Sequence, residues 1–139
     1  MISHANKRAV ISAVWVTVAL NMAFADIISL YVPGAMQAAL SGVIEGVEIT
    51  NALLLMGGLL IQVPIAMVVI TQLLPEDLLK SANMAAVIIT TVFIVGGGSP
   101  KPVYILFASI EVAAMVLILW LAWRPIAPLS DTNLNERRP

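Results

Sequence analysis

Two carboxylates stand inside the most apolar stretches of the chain. Asp26 lies in "LNMAFADIISLYVPG" (20–34) and Glu111 in "YILFASIEVAAMVLILWLAW" (104–123). A carboxylate in hydrocarbon costs on the order of 3 kcal/mol on insertion scales, so such residues mark function by default. No Lys or Arg occurs at matching depth in any apolar run. Each carboxyl must therefore be protonated, face water, or be balanced by a mobile cation or ligand. If the two approach each other, they can share one proton. The chemistry open to them is binding of a proton, a cation or a small cationic group.

Three amides accompany them: Asn21 in the first apolar run, and Asn51 and Gln62 in the second. An amide both donates and accepts, so these side chains suit either orientation of a ligand or hydrogen bonding between helices. At 100° per residue Asn51, Leu55, Gly58 and Gln62 share one helix face, and Asn83, Val87 and Thr90 share another. Asp26 lies about 140° round from Asn21, so the first helix shows polar groups on two sides. That pattern suits a central helix or one at an oligomer interface.

Other chemistries are excluded by composition. The 139 residues include no cysteine and one histidine, His4, which removes thiol catalysis, disulfides, iron–sulfur ligation and a zinc centre. No metal site, cofactor or catalytic residue is expected. A net charge of -1 gives no basic patch for nucleic acid. An enzyme acting on a lipid or quinone would have only carboxylates for acid–base work. The methionines within the apolar runs read as core fillers.

These residues must be positioned by membrane elements. The chain is 60% hydrophobic and 11% charged, where soluble domains carry roughly 25% charged residues. Four segments are long and apolar enough to span a bilayer, 9–31, 49–74, 75–97 and 103–123. The first is too long for a cleaved signal peptide, carries Asp26 and lacks a small-residue cleavage site. Lys7, Arg8, Lys80, Arg124, Arg137 and Arg138 fall on one side of this topology and Lys101 on the other. By the positive-inside rule both termini are cytoplasmic. Trp120 and Trp123 suit the inner interface.

The connections differ in character. "LLPEDLLK" is a tight turn, with Pro75 at the first position of a helix and Glu76 and Asp77 at its positive end. "GGGSPKP" is an outer turn. The outer connection after Gly34 is expected to form a short interfacial helix over 35–44, followed by a negative rim at Glu45 and Glu48. Residues 1–124 form one transmembrane domain, and 125–139 a polar cytoplasmic tail.

The same stretches carry a resemblance. Asn21, Asp26, Tyr31, Pro33 and Gly34 in the first segment resemble a family of small bacterial four-helix membrane proteins, loosely DoxX-like, as do Glu111, Trp120, Ala122 and Trp123 in the last. The resemblance implies the architecture and the choice of residues, and no reaction.

The expected protein is an all-α, membrane-spanning four-helix bundle in a bacterial inner membrane. It is read as a carrier or binding protein whose outer-half site uses Asp26 and Glu111, with Asn21, Asn51 and Gln62 as orienting amides. The alternative is a non-catalytic accessory or structural subunit of a membrane complex. The expected partners are the lipid bilayer and either a second copy or another membrane subunit.

Overall fold

A computed structural model describes residues 4–124, so the expected tail over 125–139 lies outside the described residues. Among the described residues, four helices are long and apolar enough to cross a membrane. They are α1 (His4–Ser29), α3 (Asn51–Leu73), α4 (Glu76–Gly96) and α5 (Pro102–Trp123), with a short α2 (Ala35–Ser41) between the first two. Helix is the only open-ended element that satisfies its own backbone in hydrocarbon, and each apolar run takes it.

Each long helix runs antiparallel to the next, and the four close into a ring. α1 packs against α3 and α5, and α4 completes the ring opposite α1. On α1 the residues Ile11, Trp15, Val18 and Met22 recur at helical spacing and are all buried. They meet Met67 of α3, Val87 and Ile94 of α4, and Met115 and Ile118 of α5. Trp15 reaches across the ring, where its indole N–H donates to Asn83 Oδ1 of α4 at 2.8 Å. α3 lies outermost, and only Pro64, Met67 and Thr71 of it are buried.

The end at which α1 begins and α5 finishes is tied by polar contacts. Lys7 is 4% exposed. Its ammonium donates to the carbonyls of Ala122 and Arg124, each at 3.1 Å, at the negative end of α5. Arg8 pairs with Glu76 at 3.1 Å and donates to the Gln72 carbonyl. Ser12 donates to the Val68 carbonyl and accepts from Gln72. The Arg124 guanidinium lies 3.6 Å over the Trp120 ring.

Helix ends shift by a few residues from the sequence reading, for local reasons. α3 starts at Asn51, because the Thr50 hydroxyl accepts from the Leu53 N–H as an N-cap. Pro75 is itself the N-cap of α4, one position before the helix, with Glu76 and Asp77 in the first turn. The expected helix over 35–44 stops three residues earlier, at Ser41. Gly42 takes φ 77° and donates its N–H back to Ala39, which ends α2. Val43–Ile44 (β1) then pairs antiparallel with Val47–Glu48 (β2). Glu45 and Gly46 between them both adopt positive φ, the geometry of a two-residue hairpin turn.

This hairpin is fastened to the α4–α5 connection. Lys101 Nζ lies 2.8 Å from Glu45 Oε1, which also accepts from the Ser99 hydroxyl. The hydrogen bond from Lys101, and then its charge, hold the Glu45 carboxyl below its ordinary value of 4.5. A carboxyl whose folded-state value is depressed stabilises at pH above its unfolded value, and the contribution disappears as pH falls through the lower folded value. Amides of 42–49 should therefore exchange hydrogen faster as pH falls through that acid window, after correction for intrinsic rates. Lys101→Gln should give the faster corrected exchange already at neutral pH. Equal protection in the variant would show that the pair does not hold the hairpin.

Candidate functional site

Near the end of the bundle at which α1 finishes and α5 begins, the polar groups of these two helices meet. Asn21 is eight residues before the end of α1, and Glu111 is nine residues into α5, so both sit roughly 12–13 Å below that end. The Asn21 amide donates to Glu111 Oε1 at 2.9 Å and to the Phe107 carbonyl at 3.0 Å. Phe107 lies one turn before Glu111, so a single amide clasps both the side chain and the backbone of α5. Glu111 is 4% exposed. Its second oxygen, Oε2, has no donor among the described residues.

A cavity of about 120 Å³ opens beside this pair. α1 lines it with Met22, Ala25 and Asp26, α4 with Phe93, Ile94 and Gly97, and α5 with Tyr104 and Glu111. Asp26 is three residues from the end of α1 and exposed, so it forms the rim while Glu111 lies deeper. Among the described residues no basic side chain lines the cavity. Nor do the described residues hold a group of three or more His, Cys, Asp or Glu side chains able to take a metal ion.

The rotation of α1 is what allows this. Its core face carries Trp15, Val18 and Met22, and flanking positions on either side of Met22 turn toward the helices that border it. Asn21 turns to α5, while Ala25 and Asp26 lie over the space that α4 and α5 leave open at their ends. The Trp15–Asn83 bond sets the level of α1 against the parallel α4. Thr90, seven residues beyond Asn83, then lies level with Met22, seven beyond Trp15. The Thr90 hydroxyl is buried there with no hydrogen-bond partner.

Of the five residues that the sequence singles out, three gather here. Asp26 and Glu111 line one cavity, and Asn21 holds Glu111. Asn51 and Gln62 do not join them. Both are exposed on α3, together with Leu55 and Gly58 of the same face. Gly57 and Gly58 have no neighbour within 4 Å of where a Cβ would stand, so neither is required for packing within the chain. The two-sided polarity of α1 is explained inside one chain, because Asn21 is satisfied by α5 and Asp26 faces the cavity.

Tyr104 is the site residue that sequence reasoning passes over. Its hydroxyl donates to the Ile94 carbonyl and bridges α5 to α4 at the cavity wall. The available signal is a phenol two residues after Pro102, inside an apolar helix where its O–H needs a partner.

The model of a family of unknown function, DUF6326, matches residues 1–126, and the chain belongs to that family. No curated protein and no solved structure matches it.

Proposed function

We propose that this member of the DUF6326 family is a small multi-pass protein of the bacterial inner membrane. In this reading it binds a proton or a small cation between Asp26 and Glu111, as a binding protein or carrier. The observation that supports it is the meeting of two carboxylates from different helices at one cavity without a basic residue. In hydrocarbon a buried carboxylate needs a positive partner or a proton. Among the described residues neither Lys nor Arg stands there, and in this reading the partner comes from outside. Asn21 fixes one oxygen of Glu111, a residue of the cavity wall, and leaves the other without a donor among the described residues. The DoxX-like resemblance supports the same residues and adds no reaction.

The test is binding of ethylammonium to the protein in nanodiscs of a zwitterionic lipid. One site per chain is expected, weakening as pH falls, because proton and cation compete for the same oxygens. The titratable groups facing the site are Asp26 on α1 and Glu111 and Tyr104 on α5, with none among the α4 wall residues. No binding above empty nanodiscs, at any pH from 5 to 8, would overturn the reading.

The cavity lies at the outer side if both termini are cytoplasmic, as Lys7, Arg8, Lys80 and Arg124 at the opposite helix ends favour. The chain has no cysteine, so single replacements report cleanly. A membrane-impermeant maleimide should fail to label Ser3→Cys or Asn133→Cys in intact cells. Labelling of either would reverse the orientation.

A second reading, an accessory subunit that docks through α3, is favoured by Gln62. It lies eleven residues into a 23-residue helix, exposed and without a hydrogen-bond partner among the described residues. An amide facing lipid at that depth costs several kcal/mol, and a neighbouring helix would satisfy it. Cysteine at Gly58 should crosslink in native membranes to a second chain or to a partner subunit. Absence of any crosslink would leave α3 facing lipid and remove this reading.

A further inference from the structure

A second space adjoins the carboxylate cavity. It is an apolar groove of about 650 Å³ between α4 and α5, walled by Val95, Ile105, Ala108, Val112 and Ala113. It begins at Pro100 in the α4–α5 turn and reaches Ala113, eleven residues into α5, roughly 16 Å at helical rise. Ile94 and Tyr104 line both spaces. The hydroxyl of Tyr104 is bonded to the Ile94 carbonyl, so these two residues form the shared wall.

We infer that the ligand of this site is a single-chain amphiphile with a primary or secondary ammonium head. The head sits between Asp26 and Glu111, and the apolar chain lies along the α4–α5 groove. The inference rests on the cation reading above and names the class of cation. Charge complementarity selects a positive head, since the wall holds two carboxyls and no base. Oε2 of Glu111 lacks a donor among the described residues, and an N–H of an ammonium supplies one. A bare divalent ion fits poorly, because calcium takes 6–8 oxygen ligands and two carboxyls fall far short. The head must be small. The cavity's 120 Å³ is below the roughly 150 Å³ of a cavity that takes benzene. A phosphatidylethanolamine is disfavoured, because its phosphate would lie beside the carboxyls.

Lipid tails are as apolar as the groove, so the chain gains little from hydrophobic transfer. Chain length would report mainly partition into the bilayer. Filling the groove is therefore the informative change. Ala113 is exposed and lines only the groove, so Ala113→Phe narrows it without touching the carboxyl cavity. Ser109→Phe on the same wall is a second filler should the first not fold.

The experiment is calorimetric titration of dodecylammonium, ethylammonium and dodecanol into protein in phosphatidylcholine nanodiscs, with empty nanodiscs as reference. Dodecylammonium should bind at one site per chain and dodecanol at least tenfold more weakly. The filler should weaken dodecylammonium at least tenfold and leave ethylammonium within twofold. Asp26→Asn, at the exposed rim, should weaken both ammonium compounds. If the filler leaves dodecylammonium unchanged while both ammonium compounds bind, the chain does not lie in the groove. The inference then fails and the cation reading stands. Equal binding of dodecanol and dodecylammonium would remove the ionic head. If neither ammonium compound binds, the cation reading fails and this inference with it.

Discussion

Glu111→Gln is expected to weaken ethylammonium binding by roughly 30- to 700-fold and to reduce its dependence on pH between 5 and 8. The glutamine keeps the fold, because its Oε1 accepts the same hydrogen bond that Asn21 donates to the glutamate. What is lost is the charge. Two unit charges about 4 Å apart at an effective dielectric near 20 interact by about 4 kcal/mol. Half to all of that, about 2–4 kcal/mol, corresponds to the stated loss. Asp26→Asn has a smaller effect, about 3- to 30-fold. Its side chain is exposed at the rim, where water and salt screen it. Calorimetric titration in nanodiscs across that pH range measures both. Equal losses in the two variants would place the cation at the rim, with Glu111 serving only as an acceptor for Asn21. No loss in Glu111→Gln, with the fold intact by circular dichroism, would end the proposal that this carboxyl binds the cation.

Trp15→Ala destabilises the bundle by about 3–5 kcal/mol, the range for removing a large buried aromatic side chain. Trp15 is completely buried and reaches the diagonally opposed α4 within the core, whereas the other pair that joins α1 to α4, Arg8 with Glu76, lies at the end of the bundle. Two effects contribute, and their sizes decide between them. The lost hydrogen bond to Asn83 is the smaller, since interhelical hydrogen bonds in membranes average about 0.6 kcal/mol and reach about 1.7. The lost ring volume is the larger. Asn83 also donates to the Leu79 carbonyl at 2.8 Å, so it remains anchored, but its Oδ1 is left buried and unpaired. Trp15→Phe, which keeps most of the ring and loses the N–H, should cost only about 1 kcal/mol. Equilibrium unfolding in mixed micelles with increasing dodecyl sulfate gives both values. If the two variants were equally destabilised, the polar bond rather than the packing would hold α1 to α4.

The four long helices were legible in the sequence because hydrocarbon leaves the backbone one economical solution. Runs of about 20 apolar residues become helices wherever they stand. Depth was legible to within a turn for the same reason, since each residue adds 1.5 Å along an axis whose ends are marked by Pro, Gly and charge. Asp26 and Glu111 could be chosen as candidates, because a charge in an apolar run is costly regardless of what packs on it. Rotation about each helix axis was not legible. It depends on which neighbour a face meets, and apolar faces that are all nearly equivalent do not specify that. Packing alone turned Asn21 to α5, where it clasps Glu111. Packing also buried Asn83 against Trp15 and left Gln62 and Asn51 on the outward side of α3. These four amides thus met three different fates at similar hydropathy. The end of α2 was written locally in Gly42, whose left-handed backbone stops the helix. The pairing of Glu45 with Lys101 across 56 residues joined two loops that only the closed ring brings together. The cavity belongs to the same level, since its wall is assembled from α1, α4 and α5, and none of the three encodes it by itself.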